Sequence, residues 1–193
     1  MDNQASFWKI VGKRSSVRRY QDIPVPQNFI DKLLDAAKAI AFTEELQQTD
    51  YRIVSDPSKI QYIAEEVKRI GTQKIEAISD ESLRKNTLSY SSSFFWFGKA
   101  PALLAVSCRK TPDYMKYLAK RHSDDLFGAK AVSAMAAQNI MLAATALGLG
   151  ACCLTGPLVA KSWLEKELGC PEQHELVLLI SLGFPAQKTR SLS

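Results

Sequence analysis

The sequence predicts one mixed helix–strand domain, α+β or α/β, and three observations point that way. Four apolar runs of strand character, Tyr51–Val54, Pro101–Cys108, Ala151–Leu154 and Leu176–Leu182, are separated by stretches in which apolar residues recur at helical spacing. Several of the connections between them are longer than a simple βαβ unit needs. The chain has 193 residues, 46% hydrophobic and 23% charged, which suffices for one substantial core and would cramp two.

In chain order, Phe7–Val11 is apolar and periodic and reads as a short helix running into the basic cluster Lys13-Arg14-Ser15-Ser16-Val17-Arg18-Arg19. Gln21–Gln27, with Pro24 and Pro26, is an extended connector, and Asn28 is the expected N-cap of a helix that places Phe29, Ile30, Leu33, Leu34 and Ala37 at helical spacing. The strand Tyr51–Val54 is stopped by Ser55-Asp56-Pro57. A charged amphipathic helix, Ser58–Ile78, then turns Ile60, Ile63, Val67 and Ile70 to one side. Ser79–Gly98 breaks the pattern, being rich first in serine and then in aromatics (Phe94-Phe95-Trp96-Phe97), and is expected to leave the core. So dense an aromatic run serves either core or subunit-interface packing or a wall over a flat aromatic ligand, and both readings stand.

Pro101–Cys108 is a buried strand, and Thr111–Leu126 is polar and irregular with a helical tendency. Ala129–Leu147 carries Ala, Met, Leu and Ile on nearly every side, which predicts a helix buried nearly all round. Gly148-Leu149-Gly150 ends it. The short strand Ala151–Leu154 turns at Thr155-Gly156-Pro157 into a helix over Val159–Leu168, with Gly169 past its end, and Leu176–Leu182 is a central-type strand. There is no internal repeat and no low-complexity linker, so residues 1–193 form a single domain.

Composition excludes several functions. The net charge of +5 is mild, and Lys and Arg are interleaved with Asp and Glu, so no nucleic-acid partner is expected; the excess suits an anionic small ligand. No apolar run is long enough to cross a bilayer, and the N-terminus lacks the apolar region of a signal peptide. Cys108, Cys152, Cys153 and Cys170 form no CxxC pair and read as free, mostly buried thiols in a reducing compartment, hence a cytoplasmic protein. Gly148-Leu149-Gly150 ends a helix and precedes a strand, the reverse of a dinucleotide-binding loop. His122 and His174 stand among polar residues and read as solvated; no GxSxG or HExxH occurs. Glu44-Glu45, Glu65-Glu66 and Asp124-Asp125 are sequence neighbours that do not face each other on a helix. No side chain is nominated as an acid–base catalyst and none as a metal ligand.

The two ends of the chain carry the positive signal. Lys13–Arg19 and Lys188-Thr189-Arg190, the latter just after Gly183-Phe184-Pro185, alternate cations with small hydroxyl residues, a composition suited to a phosphate oxyanion. Brought together by folding, they would make one phosphate site.

Read together, these segments resemble the nitroreductase family of flavoproteins. Arg14-Ser15-Ser16-Val17-Arg18 is similar to the family's RxSxR flavin motif, Ala36-Ala37 to its LxxAA helix, and Tyr51–Pro57 to its first strand and DP turn. Lys99–Leu104 is similar to its AP strand, Ala136–Gly156 to its long helix and following strand, and Leu182–Pro185 with Lys188 and Arg190 to its LGxP…KxR ending. The resemblance implies an α+β fold, a central mostly antiparallel sheet flanked by helices, in an intertwined homodimer with two FMN sites at the interface and the excursion around residues 79–98 as a lid. It implies that Arg14, Lys188 and Arg190 hold the FMN phosphate, with Ser16 as a hydroxyl partner and Ser15 beside it in the motif. Arg18 would stand near the pyrimidine edge, where a cation favours two-electron chemistry. Cys153 and Leu154 would pass beneath the ring, and the turn at Thr155 and Gly156 would offer backbone N–H to it.

One segment departs from the family pattern APSxxNxQPW: here residues 40–49 read Ile-Ala-Phe-Thr-Glu-Glu-Leu-Gln-Gln-Thr, and only Gln47 survives. Glu44 and Glu45 are expected to repel an anionic cofactor unless the loop is displaced. The implied activity is an FMN-dependent oxidoreductase in which NADH or NADPH acts as a transient donor. A small oxidised acceptor, a nitroaromatic, quinone or similar, is then reduced in the same pocket by ping-pong hydride transfer. The alternative is a degenerate, non-catalytic dimer that senses or stores FMN; a family member that turns over its own reduced flavin is a weaker one.

Overall fold

Among the described residues four strands form one open sheet in the order β1-β2-β4-β3, every neighbouring pair antiparallel: β1 (Thr49–Val54), β2 (Ala102–Arg109), β3 (Gly150–Leu154) and β4 (His174–Gly183). A computed structural model of the chain describes residues 3–40, 49–91, 94–110 and 128–186. The sheet resolves the choice left by the sequence in favour of α+β. No helix among the described residues is long and apolar enough to cross a membrane.

Helices cover both faces of the sheet, which is why β2 and β4 are apolar without alternation. On one face α2 (Gln27–Lys38) and α5 (Gly128–Ala146) pack Ile30, Leu33, Ala136, Ile140 and Ala144 onto Leu104, Val106, Ile180 and Leu182. On the other, α3 (Pro57–Glu76) and α6 (Lys161–Glu167) pack Ile60, Ile63, Val67 and Leu164 onto Leu103, Ala105, Cys152 and Leu179. The period of two along β2 sends Leu103 and Leu104 into different cores.

Local signals fix the ends of these elements. Asp56 caps α3 by accepting from the Ser58 backbone N–H at 2.9 Å, with Pro57 at the first helical position. Gly148 (φ 76°) and Gly169 (φ 64°) turn the chain out of α5 and α6 through the left-handed region. Asn139 on α5 donates from Nδ2 to the carbonyls of Ala36 and Ala39, at 3.3 and 3.2 Å, satisfying the open C-terminal end of α2.

Several expectations change. α2 begins at Gln27 with Pro26, not Asn28, at its N-cap position, and no side chain caps it. α5 is not buried all round in the single chain: Val132, Ser133, Ala136, Ala137, Ile140 and Ala144 are inside, while Met135 is 50% exposed, because the sheet and α2 cover one face only. The helix expected over Val159–Leu168 is shorter, its place partly taken by a 3-10 stretch, Gly156–Ala160, that starts with Pro157 near its N-terminus. Within 79–98, α4 (Glu81–Ser91) leaves Leu83 and Leu88 exposed, and a 3-10 turn, Trp96–Lys99, then returns Phe97 to full burial. His174 is half-buried, not solvated, and its buried Nδ1 has no hydrogen-bond partner among the described residues; burial holds its pKa below the ordinary value. The four thiols are free as expected, but Cys153 is exposed. Thr111–Leu126, His122, Glu44-Glu45 and Asp124-Asp125 lie outside the described residues.

Glu175 joins three elements. Its carboxylate pairs with Lys161 on α6 at 2.6 Å and with Lys130 on α5 at 3.4 Å. Burial acts to raise its pKa, but the Lys161 hydrogen bond and the charges of Lys161 and Lys130 override it and hold the group below the ordinary carboxylate value. A depressed carboxylate stabilises the fold above its unfolded pKa, and the contribution disappears as pH falls through the folded one. Glu175→Gln should therefore lower Tm at neutral pH, with the difference from wild type closing below about pH 4. A Tm gap independent of pH would contradict this assignment.

Candidate functional site

The basic segment after α1 (Asn3–Lys13) lies along the free edge of β3. Ser16 forms a parallel bridge with Ala151, and the Val17 N–H donates to the Ala151 carbonyl at 3.0 Å. The segment then crosses to the end of β4. There Tyr20 bridges Pro185, the Gln21 N–H donates to the Phe184 carbonyl at 2.8 Å, and the Ala186 N–H donates to the Arg19 carbonyl at 3.0 Å. An edge that would otherwise offer unpaired backbone groups is covered by the chain's own N-terminal region.

Two glycines make this crossing possible. Gly150 and Gly183 are register partners across β3 and β4. A Cβ on Gly150 would come within 2.6 Å of Val17 Cβ, and one on Gly183 within 2.6 Å of Pro101 Cδ and 2.9 Å of Tyr20 Cδ1. The missing side chains leave the space that Val17 and Tyr20 occupy.

Seated there, Val17 is buried while Ser16 and Arg18 on either side of it are exposed and Arg14 and Ser15 are half-buried. Cys152 follows Ala151, the strand partner of Ser16, and its thiol feels Arg18, Ser16 and Arg14 together. Burial pushes the Cys152 thiol pKa up, and the Arg18 charge, the Ser16 hydroxyl and the Arg14 charge act in the opposite direction. The Arg18 guanidinium carbon lies 6.0 Å from the centre of the Trp96 ring, at the outer range of a cation–π contact. Trp96 also lines a groove of about 450 Å³ with Gln61, Glu65, Lys68, Phe95 and Lys99.

Further along β3, Leu154 is committed to the core on the α3 side, so its side chain is closed to a ligand, and Cys153 projects from the opposite face, exposed. Thr155 is exposed at the turn, and Gly156 lies directly under Phe94, whose Cδ1 would be 2.3 Å from a Cβ there. The aromatic run thus divides its duties: Phe97 is core, Phe94 covers the Gly156 turn, and Trp96 stands by Arg18.

Of the predicted site residues, Arg14, Ser15, Ser16, Arg18, Cys153, Leu154, Thr155 and Gly156 fall on two adjoining stretches, the basic segment and β3 with its turn. Gln47, Lys188 and Arg190 lie outside the described residues. Sequence reasoning overlooked Cys152, Val17 and Tyr20. Their roles come from long-range contacts, and the signal available was the pair Gly150 and Gly183, each immediately beside an expected strand run and, in the fold, its terminal residue.

An antiparallel sheet with helices on both faces, and a serine–arginine segment laid along its edge strand, define a class as well as a shape. Residues 11–184 match the sequence profile of the nitroreductase family, and the chain belongs to that family. Among solved structures, a BluB-like flavoprotein from Clostridium difficile superimposes with a TM-score of 0.81 at 24% identity, covering 100% of this chain and 94% of that one. A nitroreductase with bound FMN from Bacteroides fragilis gives 0.69 at 21% identity, covering 97% and 94%. Iodotyrosine deiodinase 1 of Rattus norvegicus is 26% identical over 190 residues, which take in 94% of this chain but 62% of that protein's length.

The glycine pair yields a direct test. Gly150→Ala forces Val17 out of its seat, an overpacking cost of about 1–3 kcal/mol. The variant should show a lower Tm and faster tryptic cleavage after Arg14, Arg18 and Arg19 than wild type. Unchanged cleavage would mean that the segment does not depend on this space.

Proposed function

We propose that the protein is an FMN-dependent oxidoreductase that takes electrons from NADH or NADPH and passes them to a small oxidised acceptor of the nitroaromatic or quinone type. The observation that carries the proposal is the seating of the Arg14–Arg18 segment along the edge of β3, the strand that runs into the turn at Thr155 and Gly156. This donor set fits the cofactor: two guanidinium groups and a hydroxyl suit phosphate and the electron-rich pyrimidine edge of a flavin. FMN, when bound, supplies a reversible two-electron centre able to accept hydride.

The residues divide the remaining work. Arg14 and Ser16 hold the phosphate oxygens through charge-assisted hydrogen bonds, together with Lys188 and Arg190 from the other end of the chain. Ala186, two residues before Lys188, is hydrogen-bonded to the Arg19 carbonyl, which supports the convergence of the two ends. Arg18 places positive charge at the pyrimidine edge, and Trp96 braces it. The backbone of the Thr155–Gly156 turn offers donors to the ring, with Phe94 limiting water access over Gly156. Donor and acceptor use the same pocket in succession.

A homodimer completes this reading. Phe7 and Trp8 on α1 and Met135 on α5 are 52%, 62% and 50% exposed, an apolar surface on two helices that contact each other. Sedimentation velocity should give a dimer at micromolar concentration, and a monomer would remove the second subunit from the site.

Purified protein reconstituted with FMN should be yellow and bleach on anaerobic addition of NADH or NADPH. Colour that persists would favour the flavin-storing alternative, and failure to take up FMN would overturn both. Arg14→Ala should weaken FMN binding by about 1.5–3 kcal/mol, the range for hydrogen bonds to charged groups. Fluorescence titration reads this directly, and an unchanged Kd would refute the phosphate role.

A further inference from the structure

We propose that the Tyr20 hydroxyl is a positioning group for the anion-binding segment, holding the Val17 carbonyl so that Ser16 and Arg18 point at the ligand. This rests on the FMN reading above and adds a residue to it. Tyr20 Oη lies 2.6 Å from the Val17 carbonyl, 2.8 Å from Ser181 Oγ and 3.1 Å from the Ser181 carbonyl. A phenol has one proton to give. A carbonyl can only accept, so the proton goes to Val17, the nearer carbonyl, and Ser181 donates to the phenol oxygen. The result is a directed chain, Ser181 to Tyr20 to Val17, anchored on a serine with no exposed surface in the middle of the last strand pair.

Val17 is consequently fixed from three sides. Its N–H is held by Ala151, its side chain fills the space over Gly150, and its carbonyl is held by Tyr20. With Val17 immobilised, its neighbours have little backbone freedom, and both belong to the proposed phosphate and flavin contacts. Burial pushes the Tyr20 titration well above the ordinary phenol range, so the hydroxyl keeps its proton. The ring alone would satisfy the packing against Gly183. The hydroxyl adds orientation to that packing.

Tyr20→Phe removes the hydroxyl and leaves the ring. The test measures Kd for FMN and for riboflavin, together with Tm, on the full-length wild type, Tyr20→Phe and Ser181→Ala. Wild type should prefer FMN over riboflavin. Loss of one neutral hydrogen bond corresponds to about a 3- to 10-fold effect, so Tyr20→Phe should reduce that preference by this factor through the Ser16–phosphate contact, which riboflavin lacks; any weakening through Arg18 at the pyrimidine edge falls on both ligands and leaves the ratio untouched. Ser181→Ala keeps the Tyr20–Val17 bond, loses its support, and should give a smaller reduction in the same ratio. A purely structural tyrosine would lower Tm and weaken both ligands in parallel. That result, or an FMN preference unchanged in both variants, overturns the proposal while leaving the FMN reading intact. A wild type with no preference for FMN overturns the phosphate reading and this proposal with it.

Discussion

Gly150 and Gly183 face each other at one end of β3 and β4, and a Cβ on either would collide with the segment that carries Arg14, Ser16 and Arg18. Everything on the site side of the molecule is built over that gap. Val17 fills one half and Tyr20 with Pro101 the other, so the crossing segment has a fixed height above the sheet. The backbone bonds to Ala151, Phe184 and Ala186 then fix its course. Because packed interiors tolerate little change in volume, this contact is a constraint as well as a source of stability.

The sheet's outer edges explain why the proposed site sits where it does. β2 and β4 are central and sandwiched between two helical layers, so side chains reach the surface only at one end, at Arg109, His174, Glu175 and Val177, and the rest of both strands is committed to the core. β3 is an edge strand, and its free side is taken by residues 16 and 17. Polar groups collect there because water reaches it. The exposed Arg18, Ser16 and Thr155 line the same edge at which the buried Cys152 sulfur marks the limit of the core. Charge at this boundary interacts more strongly than in bulk water, yet costs less desolvation than full burial.

The aromatic excursion shows how one sequence feature serves several layers. Its four consecutive rings do not share a face. Phe97 returns the chain to the core beside Ala64 and Leu103, Phe95 packs near Gly71, Phe94 closes over Gly156, and Trp96 stands beside Arg18. The packing reading left open by the sequence therefore holds for Phe97 and Phe95, while Phe94 and Trp96 stand at the turn and beside the basic segment.

The sequence by itself determined the element order, the apolar faces and the segment types, because these depend on near-neighbour periodicity and on Gly, Pro and Asp at element ends. β1, β2, β3 and β4 overlap the expected runs, and α3 begins at the predicted Asp-Pro turn. It also singled out the serine–arginine motif by composition. It could not show that α5 leaves Met135 open, that Asn28 is not a cap, or that His174 is half-buried, since each depends on which neighbour arrives from elsewhere in the chain. Nor could it reveal the Ser181–Tyr20–Val17 chain, whose serine and tyrosine are 161 residues apart. Only the folded chain decides the path of the basic segment, because that path rests on a gap between two strands and on the Tyr20 hydrogen bonds, neither of which exists until the sheet has closed around them.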